Sequence, residues 1–218
     1  ELSNTSDERI EQLQKQCAGY ERKLAELSDE LHETRISGAL RAEKEMSGYF
    51  AQLSMEHAGV SLRVEKGTTF HALGVDEVSF LFKANKGSQF QAIHKVASGG
   101  ELSRVMLAIK ASISKHRKLP VLILDEIDQG VSGEVGLKIG RILKEMSAEM
   151  QLIVITHLPQ IAGKSDHHWK VRKYADEITT FTEVVPLEGE DRINELAEML
   201  SGKKLTAASL ANARELMA

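Results

Sequence analysis

Two carboxylates, Asp125 and Glu126, close an uninterrupted aliphatic run, Val121-Leu122-Ile123-Leu124. Four aliphatic residues without alternation predict a strand covered on both faces, as in a parallel α/β sheet. Pro120 stands where a missing N–H does little harm, at the strand's start. Open α/β sheets place ligand chemistry beyond the carboxyl ends of their strands, where this acidic pair falls. Alone, the same string is equally a buried strand running into an acidic turn. Upstream, Ser98-Gly99-Gly100-Glu101 offers a second kind of chemistry. Serine followed three residues later by glutamate is a capping box and could simply begin a helix. Two consecutive glycines exceed what a cap requires. They admit close backbone approach and, with a helix N-terminus, present N–H donors and a positive dipole end to an anion.

Gly130-Val131-Ser132-Gly133 follows the acidic pair, and a second apolar strand, 152–155, runs into Thr156-His157. A glycine turn opening a helix, a strand ending Asp-Glu, a Gly/Ser turn and a strand ending in His stand in a fixed order. That order resembles the C-terminal lobe of an ATP-binding-cassette (ABC) ATPase head: signature motif, Walker B, D-loop and switch histidine. Three stretches narrow it: Ser98-Gly-Gly-Glu-Leu-Ser-Arg104, Leu124-Asp-Glu-Ile-Asp-Gln-Gly-Val-Ser-Gly133 and Ile155-Thr-His-Leu-Pro-Gln-Ile-Ala162. Together they resemble the RecN family of bacterial DNA-repair ATPases, relatives of the structural-maintenance-of-chromosomes (SMC) proteins. The similarity extends to Glu195-Leu-Ala-Glu-Met-Leu-Ser-Gly202 near the C-terminus.

The resemblance implies ATP and Mg²⁺ as cofactors. Asp125 would hold Mg²⁺ through water as a Walker B aspartate does, and Glu126 would activate the attacking water as general base. His157 would contact the γ-phosphate as the switch histidine. A lone histidine after a strand is ordinarily a cap or core residue, and its place after the third motif argues otherwise. Ser98, Gly99, Gly100 and Glu101 would reach the γ-phosphate bound on a second head, making ATP the glue of a homodimer. Gly130, Ser132 and Gly133 would form the D-loop. The common spelling ends in aspartate where this chain has Gly133, so a D-loop carboxylate role does not transfer.

The P-loop pattern, Gly-x-x-x-x-Gly-Lys-Ser/Thr, has no match. Gly163-Lys164-Ser165 has the right ending, but residue 158 is leucine and the string follows the switch histidine. In the resembled family the P-loop lies in an N-terminal lobe, separated in sequence by a coiled-coil excursion. The chain therefore reads as the C-terminal half of a split head. Its implied partners are the missing Walker A lobe, a second head and, for the full-length protein, DNA; the implied location is the cytoplasm, associated with the nucleoid.

Composition fits these readings. The 218 residues suffice for one large domain or a domain plus an extension, and the hydrophobic fraction of 42% for a packed core. No run approaches a membrane span and no signal segment opens the chain, so no membrane association is expected. A single cysteine, Cys17, excludes an internal disulfide and fits a reducing compartment. A net charge of −4 and a pI near 6.1 do not mark a generally basic nucleic-acid binder.

The elements that must position the motifs follow from periodicity. Ile10, Leu13, Cys17, Tyr20, Leu24, Leu27 and Leu31 alternate in steps of three and four, the a/d seam of a coiled coil, amid very polar flanks. The same stripe could instead be an amphipathic helix on the domain's own core. No second heptad segment occurs here, so an antiparallel coiled-coil partner must lie elsewhere. The pattern loosens through Gly38, resumes at Met46, Phe50 and Leu53, and Gly59 is the expected helix stop. Val60, Leu62 and Val64, then Val75, Val78, Phe80 and Phe82, predict antiparallel strands with one buried face, joined by 67–74. A helix is expected over 101–117, another carrying Val135, Ile139, Ile142, Leu143 and Met146, a closing hairpin around Trp169, Val171 and 178–185, and helices over 191–200 and 206–217. The expected fold class is α/β: residues 1–57 form a coiled-coil arm stub and 58–218 the C-terminal lobe of an ABC-type ATPase head.

Three functions compete. An ATPase half acting in double-strand-break repair and recombination is favoured. A structural coiled-coil tether of an SMC-like complex, with little hydrolysis of its own, is disfavoured by intact Glu126 and His157. A transporter ATPase subunit is disfavoured by the heptads and by glutamate at position 101, where transporters carry glutamine.

Overall fold

The structure, a computed structural model, describes all residues except Glu1, Val96, Ala97, Ser98, Lys118, Glu126, Ser132, Asp176, Glu177, Ile178 and Lys203. Ser98, Glu126 and Ser132, singled out above for chemistry, lie outside the described residues, as does Ile178. The chain divides into two compact units, one of Glu1–Ser47 with Ala58–Val96 and one of Gly48–His57 with Ala97–Ala218. Among the described residues no helix is long and apolar enough to cross a membrane.

The first unit is a helix and a hairpin. Helix α1, Leu2–Gln52, runs 51 residues without a break at Gly38. Only Arg41 comes near that glycine, so nothing there forces an interruption. The a/d side chains Ile10, Leu13, Tyr20, Leu24, Leu27 and Leu31 are all exposed, so this seam is not the face of a core. Strand β1 (Gly59–His71) pairs antiparallel with β2 (Gly74–Lys83), and short β3 (Gln91–Ala92) adds to β2. The cross-strand pair Val60 and Phe82 is buried, the start of the expected apolar face. Residues 67–74 are not the expected loop: β1 continues to His71, and only Ala72-Leu73 turn. The register shifts between Lys66 and His71. A Cβ on Gly67 would lie 2.7 Å from the Val75 carbonyl, so glycine lets the strands pass closely where the ladder slips.

Polar contacts tie this helix to its hairpin. The Asp76 side chain, only 1% exposed, accepts from Arg35 Nη1 at 2.8 Å and pairs with His32 Nδ1 at 2.7 Å. Arg35 Nη2 also donates to the Leu73 carbonyl. Farther along α1, Glu43 Oε1 accepts from the Leu62 N–H at 2.6 Å. The hydrogen bond from Arg35, with help from His32, holds the Asp76 carboxyl below its ordinary value against the opposing effect of burial.

The second unit begins inside α1 and corrects the expected helix stop. The helix ends at Gln52, seven residues before Gly59, which instead opens β1. Ser54 takes the left-handed conformation, φ 57°. Met55 N–H reaches back to the Phe50 carbonyl at 2.8 Å and Ser54 N–H to Ala51 at 3.3 Å, a Schellman motif with serine where glycine is usual. Phe50, Leu53 and Met55 are buried, and that burial fixes the stop.

Next come α2 (Gly99–His116), β4 (Val121–Leu124), α3 (Gly133–Ser147), β5 (Gln151–Val154) and the short α4 (Pro159–Ala162). Hairpin β6 (His168–Ala175) and β7 (Thr180–Leu187) and helices α5 (Gly189–Ser201) and α6 (Ala207–Met217) complete the chain. Strands β4 and β5 are parallel, in register from Val121↔Gln151 to Leu124↔Val154. Buried Val105, Leu107, Ala108 and Ala111 on α2, Leu124 on β4, and Ile139, Ile142, Leu143 and Met146 on α3 supply the core. Ala162, Leu196, Ala197 and Ala213 join α4, α5 and α6 in one cluster. Thr206 caps α6 through a capping box with Ser209.

One expectation for β4 fails. The strand is not covered on both faces: Val121 and Ile123 are exposed, Ile123 to 60%, as is Ile153 beside it on β5. The described helices bury Leu124 and leave that apolar face open.

Two glycines of α3 let the chain after β5 lie against it. A Cβ on Gly140 would stand 2.9 Å from the Gln160 carbonyl, and one on Gly136 3.2 Å from a Leu158 methyl. The carbonyl belongs to the backbone of α4 and cannot step aside; at Gly136 the neighbours are side-chain atoms, the Leu158 methyl and Gln160 Cβ at 3.3 Å, which need give only a few tenths of an ångström. Gly140→Ala is therefore expected to lower the melting temperature, overpacking of about 1–3 kcal/mol outweighing a helix gain of about 1 kcal/mol. Gly136→Ala should melt within a degree or two of the parent, and equal melting of the two variants in a thermal scan would refute the packing argument.

The Asp76 clamp gives a second expectation. Its folded pKa is depressed, so its stabilisation is present above the ordinary carboxylate pKa of about 3.9 and is lost as pH falls through the lower folded value. Protection of the β1 and β2 amides, taken as exchange relative to the intrinsic rate at each pH, should fall on acidification through that window. Asp76→Asn should exchange fast already at neutral pH and lose most of the pH dependence; an Asn variant as protected as the parent would show the clamp idle.

Candidate functional site

Strands β4 and β5 end side by side, and the pairing extends one residue further through Ile155 N–H to the Leu124 carbonyl at 2.9 Å. Asp125 follows β4 directly, exposed at the carboxyl edge of the pair. Thr156 and His157 follow β5 at the same edge. The loop beyond Asp125 turns at once, Val131 N–H donating to the Asp128 carbonyl at 3.0 Å. Gly130 there has φ 69° and Gly133 φ 54°, left-handed values that disfavour a side chain. The expected D-loop glycines are thus turn-makers, Gly133 opening α3.

Asp128 is the residue that sequence reasoning missed. It is only 2% exposed, and one of its oxygens gathers two hydrogen-bond donors and lies close to a ring nitrogen. Oδ2 accepts from the Thr156 hydroxyl, from the His157 N–H at 2.9 Å, and lies 3.1 Å from His157 Nδ1. Thr156 Oγ1 in turn accepts from Leu158 N–H at 3.0 Å, just ahead of Pro159, which opens α4. The turn after β5 is thereby pinned to the loop after β4 while the His157 side chain stays 72% exposed. The signal that could have revealed Asp128 is a third carboxylate three positions past Asp125, flanked by buried Ile127.

The glycine turn approaches the same loop from α2. A Cβ on Gly100 would sit 2.9 Å from the Gln129 carbonyl and one on Gly99 3.4 Å from Gln129 Oε1. Close approach is therefore the reason for Gly100 and places the start of α2 against the residue between Asp128 and Gly130, whereas Gly99 meets only an ordinary contact with a flexible side chain. Glu101 lies in the first turn of α2, where a carboxylate complements the helix dipole. Ser103 Oγ donates to the Gly99 carbonyl at 3.1 Å within that turn. At the start of α3, Glu134 is held below its usual range chiefly by its hydrogen bond to Lys138.

The structure therefore gathers Gly99, Gly100, Gly130 and His157 around one loop, with Asp125 at its head. Among the described residues no hydrogen bond or ion pair links Asp125 to His157 directly, and no cluster of three or more metal-binding side chains occurs. A lone exposed carboxylate suits Mg²⁺, which keeps several waters and uses one or two carboxylates together with substrate phosphates. It does not suit a cation needing a full protein cage. Backbone N–H groups at the start of α2 suit an anion.

A family model described as RecF/RecN/SMC N terminal domain matches residues 6–180. The chain is 42% identical over 206 residues to the DNA repair protein RecN of Rickettsia bellii, covering 94% of this chain and 38% of that protein. It is 38% identical over 213 residues to the DNA repair protein RecN of Vibrio cholerae, covering 97% of this chain and 38% of that one. The chain thus spans well under half the length of these relatives. Among solved structures it resembles an Smc head domain with a coiled coil and joint from Pyrococcus yayanosii, at 25% identity and TM-score 0.59, covering 77% of this chain and 30% of that one. With its mixed α/β architecture and these relatives, the chain belongs to the RecF/RecN/SMC family.

Proposed function

We propose that this chain is the hydrolytic portion of a RecN-like ATPase head that acts in DNA double-strand-break repair. The observation that carries the reading is the shared carboxyl edge of β4 and β5, where Asp125 and His157 follow adjacent parallel strands. Asp125 would hold Mg²⁺ through water, Glu126 would take the proton of the attacking water, and His157 would meet the γ-phosphate. The Ser98-Gly99-Gly100-Glu101 turn would bind the γ-phosphate of a second head, with Gly130, Ser132 and Gly133 shaping the loop between the two sites. The nucleotide-gripping Walker A lobe would come from the remaining length of the full protein. The open aliphatic face at Val121, Ile123 and Ile153 supports that division, since a strand of this composition is built for two covers. The exposed seam of α1 likewise supports an arm that pairs with a helix outside this chain. DNA would be the partner of the assembled protein.

The test is ATP hydrolysis by this chain with and without a co-expressed Walker A lobe. Turnover is expected only when both are present, because the residues here would touch only γ-phosphate and Mg²⁺. In the reconstituted head Glu126→Gln should leave ATP binding intact and slow hydrolysis by about 10²-fold or more. Micromolar Mg·ATP affinity of the chain alone, or full turnover by the glutamine variant, would sink the reading.

The signature turn has its own test. If Ser98 only caps α2, Ser98→Asp should be harmless, since aspartate caps as well as serine. Facing a γ-phosphate, the new carboxylate would be repelled by roughly 4 kcal/mol at 4 Å and an effective dielectric of 20. That exceeds any capping difference of about 1 kcal/mol. The variant is expected to melt like the parent yet fail to dimerise with ATP in light scattering; ATP-driven dimers of the variant would make the turn a cap and nothing more.

A further inference from the structure

Arg104 closes the stretch that begins at Ser98 and has no part in the site described above. It lies in α2 one turn past Gly100, and helical side chains lean back toward the N-terminus. Its guanidinium accordingly returns to the glycine turn. A Cβ on Gly100 would stand 3.9 Å from Arg104 Nη1, in the same space that the Gln129 carbonyl approaches to 2.9 Å. The residue is partly buried, and its Nε is wholly so, without a hydrogen-bond partner. Among the described residues Arg104 takes part in no hydrogen bond or ion pair. A guanidinium is always charged and carries five donors, so withdrawing it from water with nothing to receive them is unfavourable. An orphaned cation of this kind beside a functional turn marks a place for an anion.

The turn itself selects which anion. Gly99 and Gly100 place no side chain over the first N–H groups of α2, which have no partner within the helix. A planar fork beside open backbone donors suits a group with several oxygens around one centre, as a phosphate has. We infer that Arg104 is a phosphate-binding residue of this turn, reaching the γ-phosphate of a nucleotide held by a second copy of the head. The inference rests on the reading of the turn as a γ-phosphate contact, and it adds the only full positive charge within residues 98–104. A merely structural Arg104 would act through its aliphatic stem, packed along α2. Arg104→Met separates the two roles, because it keeps an unbranched stem and removes the charge.

The test uses the full-length protein. Without nucleotide, Arg104→Met is expected to melt no lower than the parent, since a charge lacking a partner has been removed. With Mg·ATP it should need about 10- to 100-fold more nucleotide for half-maximal dimerisation in light scattering, the scale of a lost hydrogen bond to a charged group. A variant that melts several degrees lower, or that dimerises at the parent's ATP concentration, overturns the inference. Parent dimers that form without ATP and vanish in Arg104→Met would make its partner a protein carboxylate, and overturn it too. Mixing then decides whose nucleotide is touched. Arg104→Met and Glu126→Gln, combined before ATP is added, form two-fold dimers in which one site joins an intact Glu126 from one copy to an intact Arg104 from the other. Turnover should return in the mixture at an ATP concentration where neither variant hydrolyses alone; a mixture as inactive as its components refutes action across the dimer. A parent that does not dimerise with ATP removes the reading of the turn and this inference with it, whereas parent dimers indifferent to Arg104→Met remove this inference alone. If the methionine variant does not fold, Arg104→Gln carries the same measurements.

Discussion

One carboxylate oxygen, Asp128 Oδ2, joins two loops that the chain separates by a helix and a strand. Its two hydrogen-bond donors come from residues 156 and 157, so the turn after β5 cannot move without leaving a charge buried and unpaired. Breaking one partner of such a buried arrangement is destabilising by several kcal/mol. The parallel pairing of β4 and β5 brings the two strand ends together, but their backbone hydrogen bonds do not fix the path into α4. The carboxylate does so through the Thr156 hydroxyl and the His157 N–H. Register, turn and helix entry thereby become one coupled unit rather than three local choices.

Around that unit the remaining constraints are steric, and glycine meets them. Gly100 must lack a side chain because the Gln129 carbonyl occupies the place of a Cβ, and Gly140 because the Gln160 carbonyl does. The first brings α2 to the loop after β4; the second lets α3 accept α4. Gly130 and Gly133 turn the chain between them in left-handed conformations. One close approach lies at the loop after β4 and the other at α4. A displacement of the α2 start would therefore press on Gln129, next to Asp128. Under the proposed function this is a short physical route from a phosphate held by the glycine turn to the histidine at the other site, confined to one chain.

The sequence made the regular parts legible and hid the parts set by partners. Heptad spacing placed α1, aliphatic runs placed β4 and β5, and the last helix was expected from Thr206, which the structure makes its cap. Gly59 misled because glycine is the usual helix stop, yet the burial of Phe50, Leu53 and Met55 imposed the left-handed turn on Ser54 instead. Tertiary packing overrode local preference there. Residues 67–74 looked like a loop because glycines at both ends read as breakers, whereas Gly67 serves a register slip inside a long strand. Asp128 escaped notice for a different reason. An isolated aspartate in a loop carries no periodicity, and only three-dimensional proximity to residues 156 and 157 reveals its role. The acidic pair and the histidine were read from their order along the chain; what holds the histidine's backbone in place was not.

The uncovered face of β4 and β5 shows where sequence and structure differ most usefully. Val121-Leu122-Ile123-Leu124 has the composition of a strand buried on both sides, and the described helices bury only one. Leaving such side chains in water forgoes about 1.5–3 kcal/mol each relative to full burial. Several of them side by side form an apolar surface of the kind that soluble chains ordinarily cover. Local sequence therefore encodes a neighbour that the described residues do not supply. The relatives are more than twice as long as the stretch they share with this chain, so they contain ample sequence for such a neighbour. On the proposed reading, cover and nucleotide grip arrive together: the lobe that buries Val121 and Ile123 is the one that brings the P-loop to the edge where Asp125 and His157 wait. Completing the core and completing the active site would then be a single event, and neither half would have reason to hydrolyse ATP unassembled.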